Sequence, residues 1–330
     1  MKVRQLAAMV LAALFCQATL TASAEDVQKT VPAQEAGFKQ ARITDVWAKY
    51  GTVLTFGKGQ TLALVDDGCK PGMPEWTAVV DGVPKVIAQY DSIDDDDAPA
   101  HGKTGYHGST IGVPSSVNFG GKRGVAYNNQ VAIVRGVECC HCKISEGPTL
   151  AKALQWVLDN HKKYKITTVN LAPVDDKERA EPSPTEIDAV LAALRKAGIW
   201  VSAPAGNHHF TKGISWPACQ PNCFAIGAVN SADVVYLDRS DKIELVVPAA
   251  ATSSSNAIAC GAAMILREAI EKAEYDWSAD GATLPDAMLK IMQTTGKKVE
   301  DKATGKTFSR LDLLAAIDHV AMKGKKPLKP

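Results

Sequence analysis

The sequence predicts an α/β protein with a doubly wound, mostly parallel sheet and helices on both faces. Two observations support this prediction. Short apolar runs rich in β-branched residues recur along the chain, and amphipathic helical patterns separate them. The runs are residues 61–65, 131–134, 167–171, 199–202, 224–229 and 243–247. Because reactive groups gather at the carboxyl ends of strands in such sheets, we look for a functional site in the loops that follow them.

The first residues have the pattern of a secretory signal peptide. Lys2 and Arg4 precede a short apolar run, and Ala22-Ser23-Ala24 precedes the first acidic residues. The run is too short to cross a bilayer, so we expect residues 1–24 to be removed and the mature chain to be secreted or periplasmic, without stable membrane insertion. The formal net charge of +1 gives no reason to expect nucleic acid as a partner.

The rest of the chain predicts one large domain. Residues 25–42 form a short N-terminal segment, residues 43–320 have the composition of a single core without a linker, and residues 321–330 form a basic tail that we expect to fray.

Two helical patterns lie between the predicted strands. Residues 150–164 carry an apolar face. A second helix is predicted to begin at Ser183-Pro184-Thr185-Glu186, where a cap, a proline and a returning glutamate occur together, and to close at Gly198.

The cysteines indicate disulfides if the chain is exported. Cys16 lies in the predicted signal peptide, and a local bridge between Cys219 and Cys223 is the favoured pairing. A metal site at residues 139–142 is the alternative, but its ligands are too crowded for one tetrahedral ion. The cysteines that remain after processing are Cys69, Cys139, Cys140, Cys142, Cys219, Cys223 and Cys260.

Four polar residues follow strands or begin helices in an order that suits nucleophilic acyl transfer. Asp66 ends an apolar strand, His107 precedes a glycine and a helix-like stretch, Asn207 follows Gly206 after another strand, and Ser253 begins a helix. A serine becomes a nucleophile when an imidazole takes its proton, a carboxylate orients that imidazole, and an amide stabilises the oxyanion.

These motifs resemble those of the subtilisin-like serine peptidases, or subtilases. "LALVDDG", "HGSTIG" and "TSSSNAIACGAAMIL" are similar to the family's acid, histidine and serine motifs, and "AGIWVSAPAGN" to its asparagine strand. The resemblance covers residues 43–320. It implies that Asp66 orients His107, that His107 is the general base, that Ser253 is the nucleophile and that Asn207 is the oxyanion donor of an endopeptidase acting on peptides or proteins.

Other interpretations of the same residues stay open. Ser253 is alternatively an ordinary helix cap, and Asp67 a turn residue. The other histidines that an imidazole role would allow are His101, His208 and His209.

The sequence departs from the family pattern at several positions. Ala251 replaces a glycine before the serine motif, and Asn256-Ala257 replaces a small residue and a proline. Where the family has a Ser-x-Gly edge that pairs with substrate, this chain has Ala172-Pro173-Val174, and residues 139–143 are expected to form the opposite edge. The residues before the domain are too few for a folded propeptide. A catalytically impaired, peptide-binding or assembly protein with this fold is therefore the alternative function.

We expect the chemistry to require no cofactor. A structural calcium site at Asp91, Asp94 and Asp96 is the candidate that the acidic run offers. Because adjacent aspartates repel one another, a solvated loop is the favoured interpretation of this run.

Overall fold

The structure is a computed structural model that describes residues 31–32, 34–70, 72–99 and 107–330. Its main sheet has nine strands in the order β13-β14-β12-β11-β10-β9-β2-β8-β5. The pairs are parallel except β13 with β14 at one edge. The strands of this sheet are β2 (Thr61–Asp66), β5 (Val86–Asp91), β8 (Gln130–Arg135), β9 (Ile166–Leu171), β10 (Trp200–Pro204), β11 (Phe224–Val229), β12 (Leu245–Pro248), β13 (Lys297–Asp301) and β14 (Lys306–Arg310).

Short strands, ten α-helices and a 3₁₀ helix (Ile144–Glu146) complete the described fold. The short strands are β1 (Val31–Pro32), β3 (Val79–Val80), β4 (Val83–Pro84), β6 (Asn118–Phe119) and β7 (Lys122–Arg123). The helices are α1 (Glu35–Gln40), α2 (Ile43–Tyr50), α3 (Pro74–Thr77), α4 (His107–Ile111), α5 (Val113–Ser116), α6 (Gly147–Tyr164), α7 (Ile187–Lys196), α8 (Thr252–Ala273), α9 (Leu284–Thr295) and α10 (Leu313–Lys323).

Helices cover the sheet on both faces, which confirms the predicted fold class. In β2, Leu62 packs into a cluster formed with helix α8, whereas its neighbour Ala63 packs on the opposite side with helices α6 and α7. Successive side chains of a strand point to opposite faces, so a strand buried on both faces is apolar throughout. Each large aliphatic side chain buried in this way contributes about 1.5–3 kcal/mol.

The predicted start of the second helix is wrong. Helix α7 begins at Ile187, after Glu186, and not at Ser183. The Ser183 backbone N–H donates to Gln220 Oε1 at 2.8 Å and its hydroxyl accepts from Arg179 at 2.8 Å. These tertiary contacts hold Ser183 outside the helix.

The strands β5, β13 and β14 were not predicted. They form the two ends of the sheet, and β5 has a mixed pattern of buried and exposed residues. Strands at an edge are exposed on more sides than central strands, so their sequences lack the continuous apolar run that marked the others.

The predicted Cys219–Cys223 bridge is not formed. Throughout the described residues all seven cysteines are free thiols. The Sγ atom of Cys219 lies 3.4 Å from Oε1 of Gln220, and burial raises the pKa of this thiol to about 11. A buried, hydrogen-bonded thiol of this kind behaves as a core residue.

Both ends of the predicted domain pack more closely than expected. Phe38 in α1 is fully buried, so the core extends before residue 43. In the C-terminal tail, the Lys326 N–H donates to the Ala273 carbonyl at 2.9 Å, and Leu328 packs against the core. The predicted signal peptide, residues 1–24, lies outside the described residues.

No helix in the described part of the chain is both long and apolar enough to cross a bilayer.

Candidate active site

Asp66 ends strand β2 in the middle of the sheet, between β8 and β9. Its side chain is 1% exposed, and its Oδ1 atom accepts the Asp67 N–H at 2.9 Å. Burial raises the pKa of Asp66, and the imidazole of His107 opposes that shift. The strand therefore presents a carboxylate that needs a partner, which is the usual condition for burying a charge.

His107, the first residue of helix α4, is that partner. Its Nδ1 atom lies 2.6 Å from Asp66 Oδ2, and its side chain is 25% exposed. Burial alone lowers the pKa of His107, but the charge of Asp66 and the hydrogen bond to it outweigh burial, so the pKa is raised. With Nδ1 facing the carboxylate, Nε2 is the ring nitrogen available for proton transfer.

Asp67 and Gly108 fix the backbone beside this histidine. The Gly108 N–H donates to Asp67 Oδ1 at 3.1 Å. A Cβ atom at position 108 would lie 2.5 Å from the Gly68 carbonyl oxygen, so only glycine allows this approach. The interpretation of Asp67 as a turn residue missed this contact, in which a second carboxylate orients the start of α4.

Ser253 lies in the first turn of helix α8, but it is not the cap. The N-cap residue is Ala251, and no side chain caps the helix there. Ser255 donates its hydroxyl to the Val247 carbonyl at 2.9 Å. Ser253 is 9% exposed, and among the described residues no hydrogen bond is formed with its hydroxyl. Of Ser253 and Ser255, Ser253 is therefore the one whose hydroxyl is not hydrogen-bonded to another described residue.

His107 and Ser253 lie on helices α4 and α8, which are in contact with each other. A hydrogen bond between their side chains is absent from the described structure. Catalytic hydrogen bonds are often long before substrate binds, so this geometry is compatible with a nucleophile and its base.

Asn207 is exposed in the loop after strand β10 and contacts the residue before Ser253. Its Oδ1 atom accepts the Thr252 N–H at 2.9 Å and the Thr252 hydroxyl at 3.0 Å. Because a backbone N–H only donates, the facing atom is the amide oxygen, and Nδ2 points away as a donor. The loop requires Gly206, where φ is 113° and a Cβ atom would lie 2.1 Å from Asp238 Oδ2.

Helix α8 is fixed to the sheet by a buried amide pair. Asn256 Nδ2 donates to Asn170 Oδ1 at 2.7 Å and to the Ser202 carbonyl at 3.0 Å. Both asparagines are fully buried, and they join the serine helix to β9 and β10. The departure from the family pattern at Asn256 thus holds the helix in place.

The other histidines lie in different surroundings. The Nδ1 atom of His208 is 3.5 Å from Asp176 Oδ1, His209 contacts the Tyr236 carbonyl, and His101 lies outside the described residues. In the described structure the buried carboxylate of Asp66 contacts the imidazole of His107, whereas His208 and His209 have other partners.

The acidic run is organised around an arginine. The Nη1 atom of Arg135 lies 2.8 Å from Oδ2 of Asp91 and 2.8 Å from Oδ2 of Asp94. The Asp96 carboxylate accepts the Ala98 N–H at 2.9 Å. Within the described ranges, no cluster of three or more histidine, cysteine, aspartate or glutamate side chains is arranged to hold a metal ion. The guanidinium lies between two of the three calcium candidates and balances their charge.

A buried carboxylate holds an imidazole at the edge of the sheet where the parallel strands end. This arrangement is typical of a serine peptidase. Residues 57–308, more than half of the chain, match the model of the Subtilase family. The chain therefore belongs to the subtilases and is a subtilisin-like serine peptidase, which confirms the resemblance drawn from the motifs. Peptides or proteins are the substrates of this class.

Solved structures agree on the fold. Proteases from Pseudoalteromonas arctica PAMC 21717 match with a TM-score of 0.62 and 16% identity, over 81% of this chain and 91% of theirs. A cold-adapted subtilisin-like serine proteinase matches with a TM-score of 0.56 and 18% identity, over 77% of this chain and 89% of its own. No curated protein matches the sequence.

Proposed function

We propose that the protein is a secreted or periplasmic serine endopeptidase in which Ser253 is the nucleophile, His107 the general base, Asp66 the residue that orients the imidazole, and Asn207 the oxyanion donor. The observation that carries the proposal is the 2.6 Å contact between His107 Nδ1 and the buried Asp66 carboxylate. It leaves Nε2 as the ring nitrogen that exchanges protons.

These proposed roles define the reaction. Ser253 Oγ attacks the peptide carbonyl carbon while its proton passes to His107 Nε2. The developing oxyanion is stabilised by Asn207 Nδ2 and by N–H groups at the start of α8. The C–N bond then breaks as His107 returns the proton to the amine, and water hydrolyses the acyl-enzyme with the same base. The buried carboxylate stabilises the imidazolium in both steps.

The chemistry in this proposal needs no cofactor. Asp91 and Asp94 share the Arg135 guanidinium, so we propose an ion-paired loop here in place of the structural calcium site. Export is proposed from the signal-peptide pattern, and its test is whether the N-terminus of the mature protein begins at Glu25.

The second candidate is a catalytically impaired protein that binds peptides at the same site. One observation favours it: among the described residues, no hydrogen bond joins the Ser253 hydroxyl to His107. It predicts a folded protein that binds peptide without acylation.

A fluorophosphonate probe separates the two candidates, because it is small and reacts only with an activated serine. We expect the wild-type protein to be labelled and Ser253→Ala to be unlabelled, with Ser254→Ala labelled as the wild type is. A folded wild type that resists the probe supports the binding protein, and labelling that persists in Ser253→Ala rejects the nucleophile.

A further inference from the structure

Two loops leave the carboxyl edge of the sheet on either side of Asp66. One follows β8 and contains residues 140–142, named the strap; the other follows β9 and contains residues 172–174. The two loops are bonded to each other. The Val174 N–H donates to the Cys140 carbonyl at 2.9 Å, and the Cys142 N–H donates to the Val174 carbonyl at 2.9 Å. His141 and Val174 thereby form a parallel bridge.

This pairing lies beside the candidate active site. Asp66 of β2 is paired with Arg135 at the end of β8, so the strap, which begins five residues farther along the chain, leaves the sheet beside Asp66. On the other side, Asn170 of β9 contacts Asn256, which is one helical turn beyond Ser253. A peptide whose carbonyl reached Ser253 would therefore run past residues 172–174.

The segment 172–174 has no N–H group left to offer such a peptide. The Ala172 N–H donates to the Val65 carbonyl at 3.0 Å, Pro173 has none, and the Val174 N–H is taken by the strap. A peptide that adds to a sheet edge needs alternating donors and acceptors along that edge. The strap has taken the place that the added strand would occupy.

A shared carboxylate ties the strap to the rest of the site. Asp176 Oδ2 contacts His141 Nδ1 of the strap, and Asp176 Oδ1 is 3.5 Å from His208 Nδ1, next to Asn207. Asp176 itself has a φ of 55°, a left-handed conformation that is uncommon for a residue other than glycine. One side chain thus links the loops after β8, β9 and β10.

We propose that the strap closes the edge at residues 172–174 to extended peptides, so that the enzyme recognises its substrate without adding a strand there. The inference rests on the proposed function, because it concerns access to the same serine. The substrates that fit are peptides held mainly by the residues next to the cleaved bond. Residues farther toward the substrate's amino end add little to binding while the strap is paired.

Two chromogenic substrates test this directly: acetyl-Phe-p-nitroanilide and acetyl-Ala-Ala-Ala-Phe-p-nitroanilide. An open edge that formed two main-chain hydrogen bonds would raise kcat/KM for the longer substrate by about tenfold or more. We expect the wild-type protein to show less than about a threefold difference. A wild-type preference of tenfold or more for the longer substrate overturns the proposal.

Loosening the strap supplies the positive result. His141→Ala and Asp176→Asn each weaken a contact that ties it down, and we expect both to raise the ratio of kcat/KM for the longer substrate to that for the shorter one about tenfold. The matched control is His161→Ala on helix α6, where the imidazole contacts only the local Leu158 carbonyl. A ratio that stays at the wild-type value in both variants contradicts the proposal.

Hydrogen exchange gives a second measure that does not depend on turnover. The Cys142 and Val174 amides should be protected in the wild type and exchange faster in Asp176→Asn. Unprotected amides in the wild type overturn the inference even if the enzyme is active. If the fluorophosphonate does not label Ser253, the proposed function fails instead, so the two failures are distinguishable.

Discussion

The Thr252 backbone N–H donates to Oδ1 of Asn207 at 2.9 Å, which fixes the orientation of the Asn207 amide and leaves its nitrogen as the donor that this contact does not use. The contact links the loop after β10 to the residue before Ser253. Because the amide is already oriented, no free energy is spent on reorienting it when negative charge develops on the substrate oxygen.

Removing that amide tests the oxyanion role. We expect Asn207→Ala to lower kcat by about 10²–10³, a magnitude established for subtilisin and so taken from this family, with little change in KM. Steady-state kinetics measures the effect, and Asn160→Ala on the surface of α6 is the matched control. A kcat within about twofold of the wild type would remove Asn207 from the mechanism.

The dependence of activity on pH tests the Asp66–His107 pair. His107 must be neutral to accept a proton, so kcat/KM falls as pH falls through its pKa. Because Asp66 keeps that pKa raised against the effect of burial, we expect the acidic limb to lie above the usual histidine value of about 6.5.

Asp66→Asn is the corresponding variant. Without the negative charge the imidazolium is less stable, so the acidic limb should move to lower pH, and kcat should fall by about 10⁴, as for triad acids elsewhere. Asp45→Asn on the surface of α2 serves as the control. An acidic limb of the pH–activity profile that stays at the same pH in Asp66→Asn would contradict the proposed Asp66–His107 pair.

Arg135 should stabilise the acidic loop without calcium. Its side chain and that of Asp91 are 2% and 1% exposed, so Arg135→Gln leaves a buried carboxylate unpaired and should lower the free energy of unfolding by about 3–5 kcal/mol. Thermal denaturation of the wild type should be the same in millimolar calcium and in chelator. Lys152→Gln, at an exposed pair with Asp95, should change stability little. A Tm that rises when calcium is added would contradict this prediction and support the calcium-site hypothesis.

Lys85 is a second buried basic residue with a structural role, and burial lowers its pKa to about 7. It is fully buried, and its ammonium donates to the Tyr127 carbonyl at 2.9 Å and to both oxygens of Asn129 at 2.6 and 3.0 Å. We expect Lys85→Met to lower the free energy of unfolding by about 3 kcal/mol, because buried acceptors lose their donor. Chemical denaturation measures this. Exposed Lys58→Met is the control, and equal stability of the two variants would contradict the prediction.

Local sequence predicted the centre of the sheet well and its margins poorly. Residues 61–65 and 224–229 are buried throughout because both faces are covered, and a strand was predicted at each. Strand β5 alternates irregularly because it lies at an edge, and Ser183 has the pattern of a cap but bonds to Gln220. A local pattern does not show which distant group will compete for a hydrogen bond.

For the site, the order of the motifs along the chain was enough to select the candidates Asp66, His107, Asn207 and Ser253. Each motif can be recognised locally, because it contains a glycine or a helix start beside the functional residue. Only the folded chain shows that Asp67 holds Gly108, that Asn256 holds α8 against β9, and that Val174 pairs with the strap. These contacts join residues far apart in the chain. Their partners are selected by the packing of the whole sheet, and no short segment contains that information.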